Sequence, residues 1–137
     1  MDYLLDHVGV AVRSIDEALP FYLNVLKGSL KDRYTSDTAG VEVHVAVVGT
    51  DDKVIELLEP TNKNSPVARF IKQQGKGVRH LAYRVDDLDK AIQEARQNGI
   101  RFLEEKTLRT NSRDRRLIYI NPASTDGTLI ELCEYPK

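Results

Sequence analysis

The sequence predicts an α+β fold in which two consecutive β-α-β-β-β modules place their helices outside a curved mixed sheet. Two observations lead to this prediction. The residues around His7 are repeated 73 positions later around His80, and four more pairs match at the same shift: Val12 and Val85, Ile15 and Leu88, Asp16 and Asp89, and Ala18 and Ala91. The segment KVIELLEP then resembles TLIELCEYP, and Glu56 is repeated as Glu131, a shift of 75. Internal self-similarity of this kind indicates two copies of one structural unit.

The length of the chain agrees with two small modules that share one core. With 137 residues, the chain fits one compact domain and would bury roughly two thirds of the surface that its unfolded form exposes. We therefore expect a single domain over residues 1–137. Its parts are module one at 1–60, a linker with one helix at 61–77, and module two at 78–137.

Module one contains one helix and four strands, and the strands are predicted at residues 4–12, 31–34, 41–49 and 54–58. Ser14 or Asp16 can cap the helix, whose apolar residues recur at three- and four-residue spacing. Pro20 is expected in the first turn, and Gly28 is a plausible end of the helix. The strand at 41–49 alternates, so its odd-numbered valines share one face, while His44 lies on the other.

The linker and module two follow the same pattern. In the linker, Ser65 caps the predicted helix, Pro66 takes its first position, and Gly75 or Gly77 ends it. Module two has a helix at 89–97 that begins after an aspartate cap and stops at Asn98 and Gly99. Its four strands are predicted at residues 78–85, 100–103, 115–120 and 128–133, with a loop at 104–114.

Composition excludes several classes of partner. The formal net charge is −1 and the pI is about 6.3, so no global electrostatic attraction to nucleic acid or to an anionic membrane is expected. The apolar runs have the length of strands, and we expect neither a spanning helix nor a signal peptide. Cys133 is the single cysteine, which suits a reducing cytoplasm, and we interpret it as a packing residue one strand position off the face of Glu131.

The repeated histidines and glutamates carry the predicted chemistry. His7 and His80 each stand near the start of an apolar strand, and Glu56 and Glu131 each stand inside one. A carboxylate on the inward face of a strand is costly unless it is paired or bound to a cation. Four such residues at matched positions indicate four ligands that converge on one divalent metal ion. Two imidazoles and two carboxylates suit zinc, nickel, cobalt, manganese or iron(II), so the ligands alone do not select the metal.

Simpler interpretations of these four residues remain open at the level of sequence. A histidine at the start of a strand is commonly a surface or hydrogen-bonded residue. Either glutamate could face solvent on an edge strand, since Glu59 and Glu134 show that both segments tolerate acidic residues. The repetition of the whole set in two divergent halves favours the metal site.

The chain resembles the vicinal oxygen chelate superfamily, which includes glyoxalase I, methylmalonyl-CoA epimerase, extradiol dioxygenases and bleomycin-resistance proteins. The similarity is closest to methylmalonyl-CoA epimerases and is carried by DHVGVAVRSIDEALPFY, KVIELLEP, NSPVARFIKQQGKGVRHLAYRVDDLDKAI and TLIELCE. The resemblance implies a half-barrel of paired modules around one divalent metal, and it also implies a homodimer. His7, Glu56, His80 and Glu131 match the four ligand positions, of which the second is Gln or Glu in the family.

The resemblance implies a metal-dependent isomerase that acts through an enolate, most simply an epimerase of methylmalonyl-CoA or a similar 2-acyl-CoA. A cation stabilises the enolate oxygen while nearby carboxylates move the proton at the alpha carbon. Glu131 and His44 are the candidate catalytic residues. The chain departs from the epimerase pattern before Gly40, where it has Thr38 and Ala39 instead of an acidic residue.

Two alternatives use the same residues differently. A glyoxalase I-like lyase would isomerise a thiol adduct, the hemithioacetal of methylglyoxal, by related chemistry, whereas an antibiotic-sequestering protein would need a pocket but no metal. For the anionic parts of an acyl-CoA, the candidate contacts are Ser65, Arg113, Arg115 and Arg116, because arginine suits bidentate contacts to carboxylates and phosphates.

Overall fold

The computed structural model describes residues 1–110 and 114–137. These residues form two compact units, a first unit over His7–Arg79 and a second unit made of Met1–Asp6 and His80–Lys137. The order of elements is β-α-β-β-β in each repeat, as the sequence predicts. Within the described ranges, no helix is both long enough and apolar enough to cross a membrane.

The first unit has a four-stranded mixed sheet in the order β2-β3-β4-β1. Its strands are β1 (Leu4–Ala11, of which residues 7–11 belong to this unit), β2 (Ser29–Ser36), β3 (Val43–Thr50) and β4 (Lys53–Pro60). β1 runs parallel to β4, and the two other pairs are antiparallel. β2 is longer than the short strand predicted at 31–34, because it pairs with β3 along its whole length apart from a register shift between Leu30 and Asp32.

Helix α1 (Ile15–Pro20) begins at Ser14, whose hydroxyl accepts a hydrogen bond from the Glu17 amide at 3.2 Å. Pro20 ends this helix and does not lie in its first turn, so the prediction for Pro20 is wrong. The reason is that the helix begins at Ile15, so Pro20 is its sixth residue, and the chain continues from there as a π-helix over Phe21–Val25 that is closed by the Leu26 amide donating to the Phe21 carbonyl at 3.1 Å. Gly28 then packs so closely on β3 that a Cβ atom would stand 2.7 Å from the Val48 side chain.

Both faces of the first sheet are covered by helices. α1 packs on the face that carries Ala46, Val48 and Leu57. Helix α2 (Pro66–Gln74), capped by Ser65 and ended by Gly75 as predicted, packs on the opposite face against residues that include Val45 and Leu58. Successive side chains of β3 therefore point to two faces that are both packed against helices, rather than to a core face and a solvent face.

The second unit repeats this plan with the strand order β5-β8-β7-β6. Its strands are β5 (Gly77–Arg84, of which residues 80–84 belong to this unit), β6 (Leu108–Arg109), β7 (Arg116–Ile120) and β8 (Ile130–Glu134). β5 runs parallel to β8, and the remaining pairs are antiparallel. Helix α3 (Leu88–Gln97) begins at the Asp87 cap and ends at Asn98. It packs on the sheet face that carries Ile118 and Leu132.

The strand predicted at residues 100–103 is wrong. Phe102 makes only an isolated bridge to Ile120, and the second strand of this unit is the short β6, within the predicted loop. The reason lies at Tyr119, whose carbonyl accepts the Leu103 amide at 2.9 Å while its own amide donates to the Glu104 carboxylate at 2.8 Å. The carboxylate takes the place of a strand partner, so regular pairing begins only at Leu108.

Candidate metal centre

In the first unit, His7 and Glu56 are brought together by the parallel pairing of β1 and β4. Glu56 is in register with Gly9, two residues beyond His7. Because side chains alternate along a strand, His7 and Glu56 share one face of the sheet. The Nε2 atom of His7 lies 3.4 Å from the Oε1 atom of Glu56.

In the second unit, His80 and Glu131 stand in the same relation. Glu131 is in register with Ala82, two residues beyond His80. The Nε2 atom of His80 lies 3.5 Å from the Oε1 atom of Glu131, and the ring of Tyr119 meets the His80 ring edge to face, with 5.8 Å between centroids. The sequence repeat thus corresponds to a repeated pair of side chains with the same register and nearly the same separation.

All four side chains are buried, with exposed fractions of at most 5%. Burying a carboxylate raises the free energy of the folded state by roughly several kcal/mol unless a positive charge or hydrogen bonds compensate for the lost hydration. Imidazole nitrogen and carboxylate oxygen are ligands that divalent transition metals accept. Among the described residues, His7, Glu56 and His80 have the donor atoms and the burial of residues that could hold a metal ion. The residues present therefore fit the predicted cofactor.

Arg115 stands beside Glu131 in the second unit. Its Nε atom lies 3.6 Å from the Oε2 atom of Glu131, and the arginine is only 4% exposed. Its Nη1 atom donates to the hydroxyl of Tyr135 at 3.4 Å, and that hydroxyl donates to the Oδ2 atom of Asp6 at 2.6 Å. The sequence analysis missed Tyr135 and Asp6, which are 129 residues apart, and no local pattern links them.

Charge and burial also change the acidity of groups near Glu131. Burial raises the pKa of Glu104. The hydrogen bond that its carboxylate accepts from the Tyr119 amide lowers this pKa, and the negative charge of Glu131 raises it further. Burial likewise raises the pKa of Tyr135, the charge of Arg115 opposes the rise, and the hydrogen bond to Asp6 favours it. Tyr135 therefore stays a hydroxyl donor at neutral pH. Glu104 was not recognised from the sequence, because its residue type is common in surface loops.

His44 lies on the opposite face of the first sheet from Glu56. Glu56 is in register with Val47, and His44 shares its face with Ala46 and Val48, which pack against α1. The Nδ1 atom of His44 is 2.7 Å from the Thr35 hydroxyl. A catalytic role for His44 stays a prediction, and this placement argues against it.

The other candidates take structural positions. Ser65 is fully buried and caps α2 through the Ala68 amide at 3.2 Å. Arg116 makes two contacts of 2.8 Å, one to Asp89 and one to Glu134, and these two carboxylates raise its pKa although burial opposes the rise. Arg113 lies outside the described residues. Roles in substrate binding for these residues stay predictions.

Cys133 is completely buried, which agrees with its interpretation as a packing residue. Its predicted orientation is wrong, because Cys133 lies two residues from Glu131 on β8 and therefore on the same face. It is in register with Leu117 of β7.

The second unit also has a surface groove away from Glu131. A surface groove of about 720 Å³ is lined by α3 together with Glu105, Lys106 and Thr107. α3 packs on the sheet face opposite to Glu131. Glu131 is therefore not among the residues that line this groove.

Comparison with known proteins gives a consistent family. Residues 6–119 match the Glyoxalase/Bleomycin resistance protein/Dioxygenase superfamily. The chain is 33% identical over 133 residues to the uncharacterized protein YqjC of Bacillus subtilis, a match that covers 97% of this chain and 92% of that protein.

This chain is also similar to solved structures of methylmalonyl-CoA epimerases. The enzyme from Mycobacterium tuberculosis is 32% identical with a TM-score of 0.90, covering 97% of this chain and 88% of that one. A variant of the Streptomyces coelicolor enzyme, solved in complex with 2-nitronate-propionyl-CoA, is 25% identical with a TM-score of 0.91, covering 99% of this chain and 100% of that one. This likeness confirms the predicted fold class.

Proposed function

The chain belongs to the Glyoxalase/Bleomycin resistance protein/Dioxygenase superfamily, and we propose that it is a metal-dependent isomerase that epimerises methylmalonyl-CoA or a similar 2-acyl-CoA. Similarity to methylmalonyl-CoA epimerases supports an isomerase. The single observation that carries the proposal is the repeated buried pair, His7 with Glu56 and His80 with Glu131.

The two pairs together would hold one divalent cation, with His7, Glu56, His80 and Glu131 as its ligands. Cobalt, zinc, nickel and manganese all accept this donor set. When bound, such a cation supplies a positive charge that stabilises the oxygen of an enolate. The burial of all four side chains supports this assignment, because a dry surrounding strengthens the electrostatic stabilisation of the developing charge.

Glu131 is the proposed proton carrier. Its carboxylate takes the proton from the alpha carbon, and the electron pair of the broken C–H bond becomes the enolate. A second acid, which we do not assign to a residue, returns a proton to the opposite face of that carbon and inverts its configuration, while the proton taken by Glu131 is released to solvent. We assign no proton transfer to His44, since it shares a sheet face with residues packed on α1.

An acyl-CoA is the proposed substrate class. The similar Streptomyces coelicolor enzyme was solved with an acyl-CoA analogue, which supports this class for a chain of the same fold. The assignment of Ser65, Arg115 and Arg116 to substrate binding stays a prediction, as do the homodimer and the cytoplasmic location.

The experiment that tests the function is deuterium exchange at the alpha carbon of methylmalonyl-CoA in heavy water, followed by NMR. Cobalt-loaded protein should exchange this proton, and protein stripped of metal should not. His80→Ala should lose the exchange of the alpha proton. His44→Ala is the matched control for metal binding and should retain its bound cobalt.

Other outcomes would favour the alternatives. A cobalt-loaded wild type that leaves the alpha proton in place would contradict the epimerase, and the hemithioacetal of methylglyoxal would be assayed next. A protein that binds no divalent metal at all would instead indicate a non-catalytic binding protein.

A further inference from the structure

Arg115 is a buried cation that the proposed chemistry does not yet use. Its side chain is 5% exposed, and that of Glu131 is 1% exposed. Moving a guanidinium and a carboxylate out of water is costly, and only good mutual geometry with additional hydrogen bonds offsets the cost. The placement of Arg115 therefore needs a reason beyond the solubility that a surface arginine provides.

The two oxygens of Glu131 meet different partners. Oε1 lies 3.5 Å from the Nε2 atom of His80, and Oε2 lies 3.6 Å from the Nε atom of Arg115. A carboxylate held on both sides in this way has its rotation about the last side-chain bond restricted. Its Oε1 atom is directed toward His80, the other proposed ligand in this unit.

Arg115 is itself held in place. Its Nη1 atom donates to the Tyr135 hydroxyl, and Tyr135 donates to Asp6, whose side chain is 8% exposed. The Oδ1 atom of Asp6 also lies 3.8 Å from the Nη1 atom of Arg84. The contacts run from Asp6 through Tyr135 and Arg115 to Glu131, all within the second unit. The hydrogen bond to Tyr135 therefore orients the guanidinium on the side away from Glu131.

We propose that Arg115 is a positioning residue that fixes the carboxylate of Glu131, with Tyr135 and Asp6 holding Arg115 in turn. The inference rests on the proposed function, because it gives Glu131 a metal to bind. It differs from the substrate-binding role predicted for Arg115 from the sequence. A positioning residue affects turnover and the metal, whereas a substrate anchor affects the Michaelis constant.

The test compares Arg115→Gln, Arg115→Lys and Tyr135→Phe with the wild type in three measurements. These are the cobalt dissociation constant by calorimetry, the visible absorption spectrum of the cobalt-loaded protein, and kcat and KM for exchange with methylmalonyl-CoA. Arg109→Gln is the matched control, since Arg109 makes an exposed ion pair with Asp114.

We expect Arg115→Gln to weaken cobalt binding or lower kcat by about 10- to 100-fold, the range for residues that orient metal ligands. The cobalt spectrum should change, and KM should stay within about threefold, because uniform substrate binding is intact. Arg115→Lys should recover part of the loss, Tyr135→Phe should show a smaller loss in the same direction, and Arg109→Gln should match the wild type. If Arg115→Gln does not fold, the other two variants carry the test.

An increase in KM with an unchanged cobalt spectrum and kcat would overturn the proposal and make Arg115 a substrate anchor. No change in any of the three measurements would overturn it as well. If the wild type binds cobalt but exchanges no proton, the proposed substrate fails, and the spectra and cobalt affinities of the variants still decide the role of Arg115. A wild type that binds no cobalt overturns both proposals.

Discussion

The Nε2 atom of His80 lies 3.5 Å from the Oε1 atom of Glu131, and the equivalent atoms of His7 and Glu56 are 3.4 Å apart. Each glutamate is in register with the residue two positions beyond its histidine. One local arrangement, a parallel strand pair with a histidine and a glutamate on the same face, therefore occurs twice. The following predictions use this repetition and the points where the two copies differ.

The two glutamates should respond differently to loss of charge. Glu56→Gln should retain the metal and keep proton exchange within about tenfold of the wild type, because an amide oxygen can still be a ligand. Glu131→Gln should lower exchange by about 10²- to 10⁴-fold, the usual contribution of a general base. NMR exchange rates and metal analysis of both variants check this. Equal losses in the two variants would contradict a special role for Glu131.

Metal binding should stabilise the folded protein. With cobalt at 100 times its dissociation constant, the free energy of unfolding should rise by about 2.7 kcal/mol, since the ion binds the native state only. For a chain of this size that corresponds to a rise in Tm of about 8 °C. The rise should vanish in His7→Ala and His80→Ala and persist in His44→Ala. Calorimetry should give one ion per chain, and a rise in Tm that survives both ligand substitutions would place the ion elsewhere.

Glu104 should make the stability of the metal-free protein depend on pH. Its pKa is raised in the folded state, mainly by burial, so the folded protein holds a proton that the unfolded chain has already released. Stability is therefore lost as pH rises from about 4.3, the unfolded value, through the raised folded value.

Glu104→Gln should keep an acceptor for the Tyr119 amide and remove this dependence. Thermal melts should show the variant more stable than the wild type at pH 7, with the difference shrinking toward pH 4. Glu105→Gln, at the neighbouring exposed position, is the control and should show no such trend. A constant difference across this pH range would exclude titration of Glu104 as the cause.

Ser65 should contribute to stability through its cap on α2. Ser65→Ala removes the acceptor of the Ala68 amide and should cost about 1 kcal/mol. Chemical denaturation would measure the loss, and Ser65→Thr should recover part of it, because threonine retains the hydroxyl. An unchanged unfolding free energy for Ser65→Ala would show that another group satisfies this amide.

Local sequence features predicted much of the fold. The caps at Ser65 and before α3, the stop at Gly75 and the order of strands depend on neighbouring residues and on the spacing of apolar side chains, so they can be recognised without tertiary information. The repeat also predicted which histidine accompanies which glutamate, because both members of each pair recur at a nearly constant shift. Strand ends were less predictable. Glu104 replaces a strand partner at Tyr119, and no pattern in residues 100–103 indicates it.

The sequence by itself determined the two modules, their helices and the four proposed ligands, since these follow from periodicity, capping and repetition. Only the tertiary structure decided what surrounds the ligands. Arg115 forms an ion pair with Glu131, and Tyr135 donates a hydrogen bond to Asp6, which is nearly the whole chain away in sequence. His44 lies on the sheet face that α1 covers. The physical reason is that these contacts depend on strand register and on which face of the sheet each helix covers. Both are set by packing between segments distant in sequence.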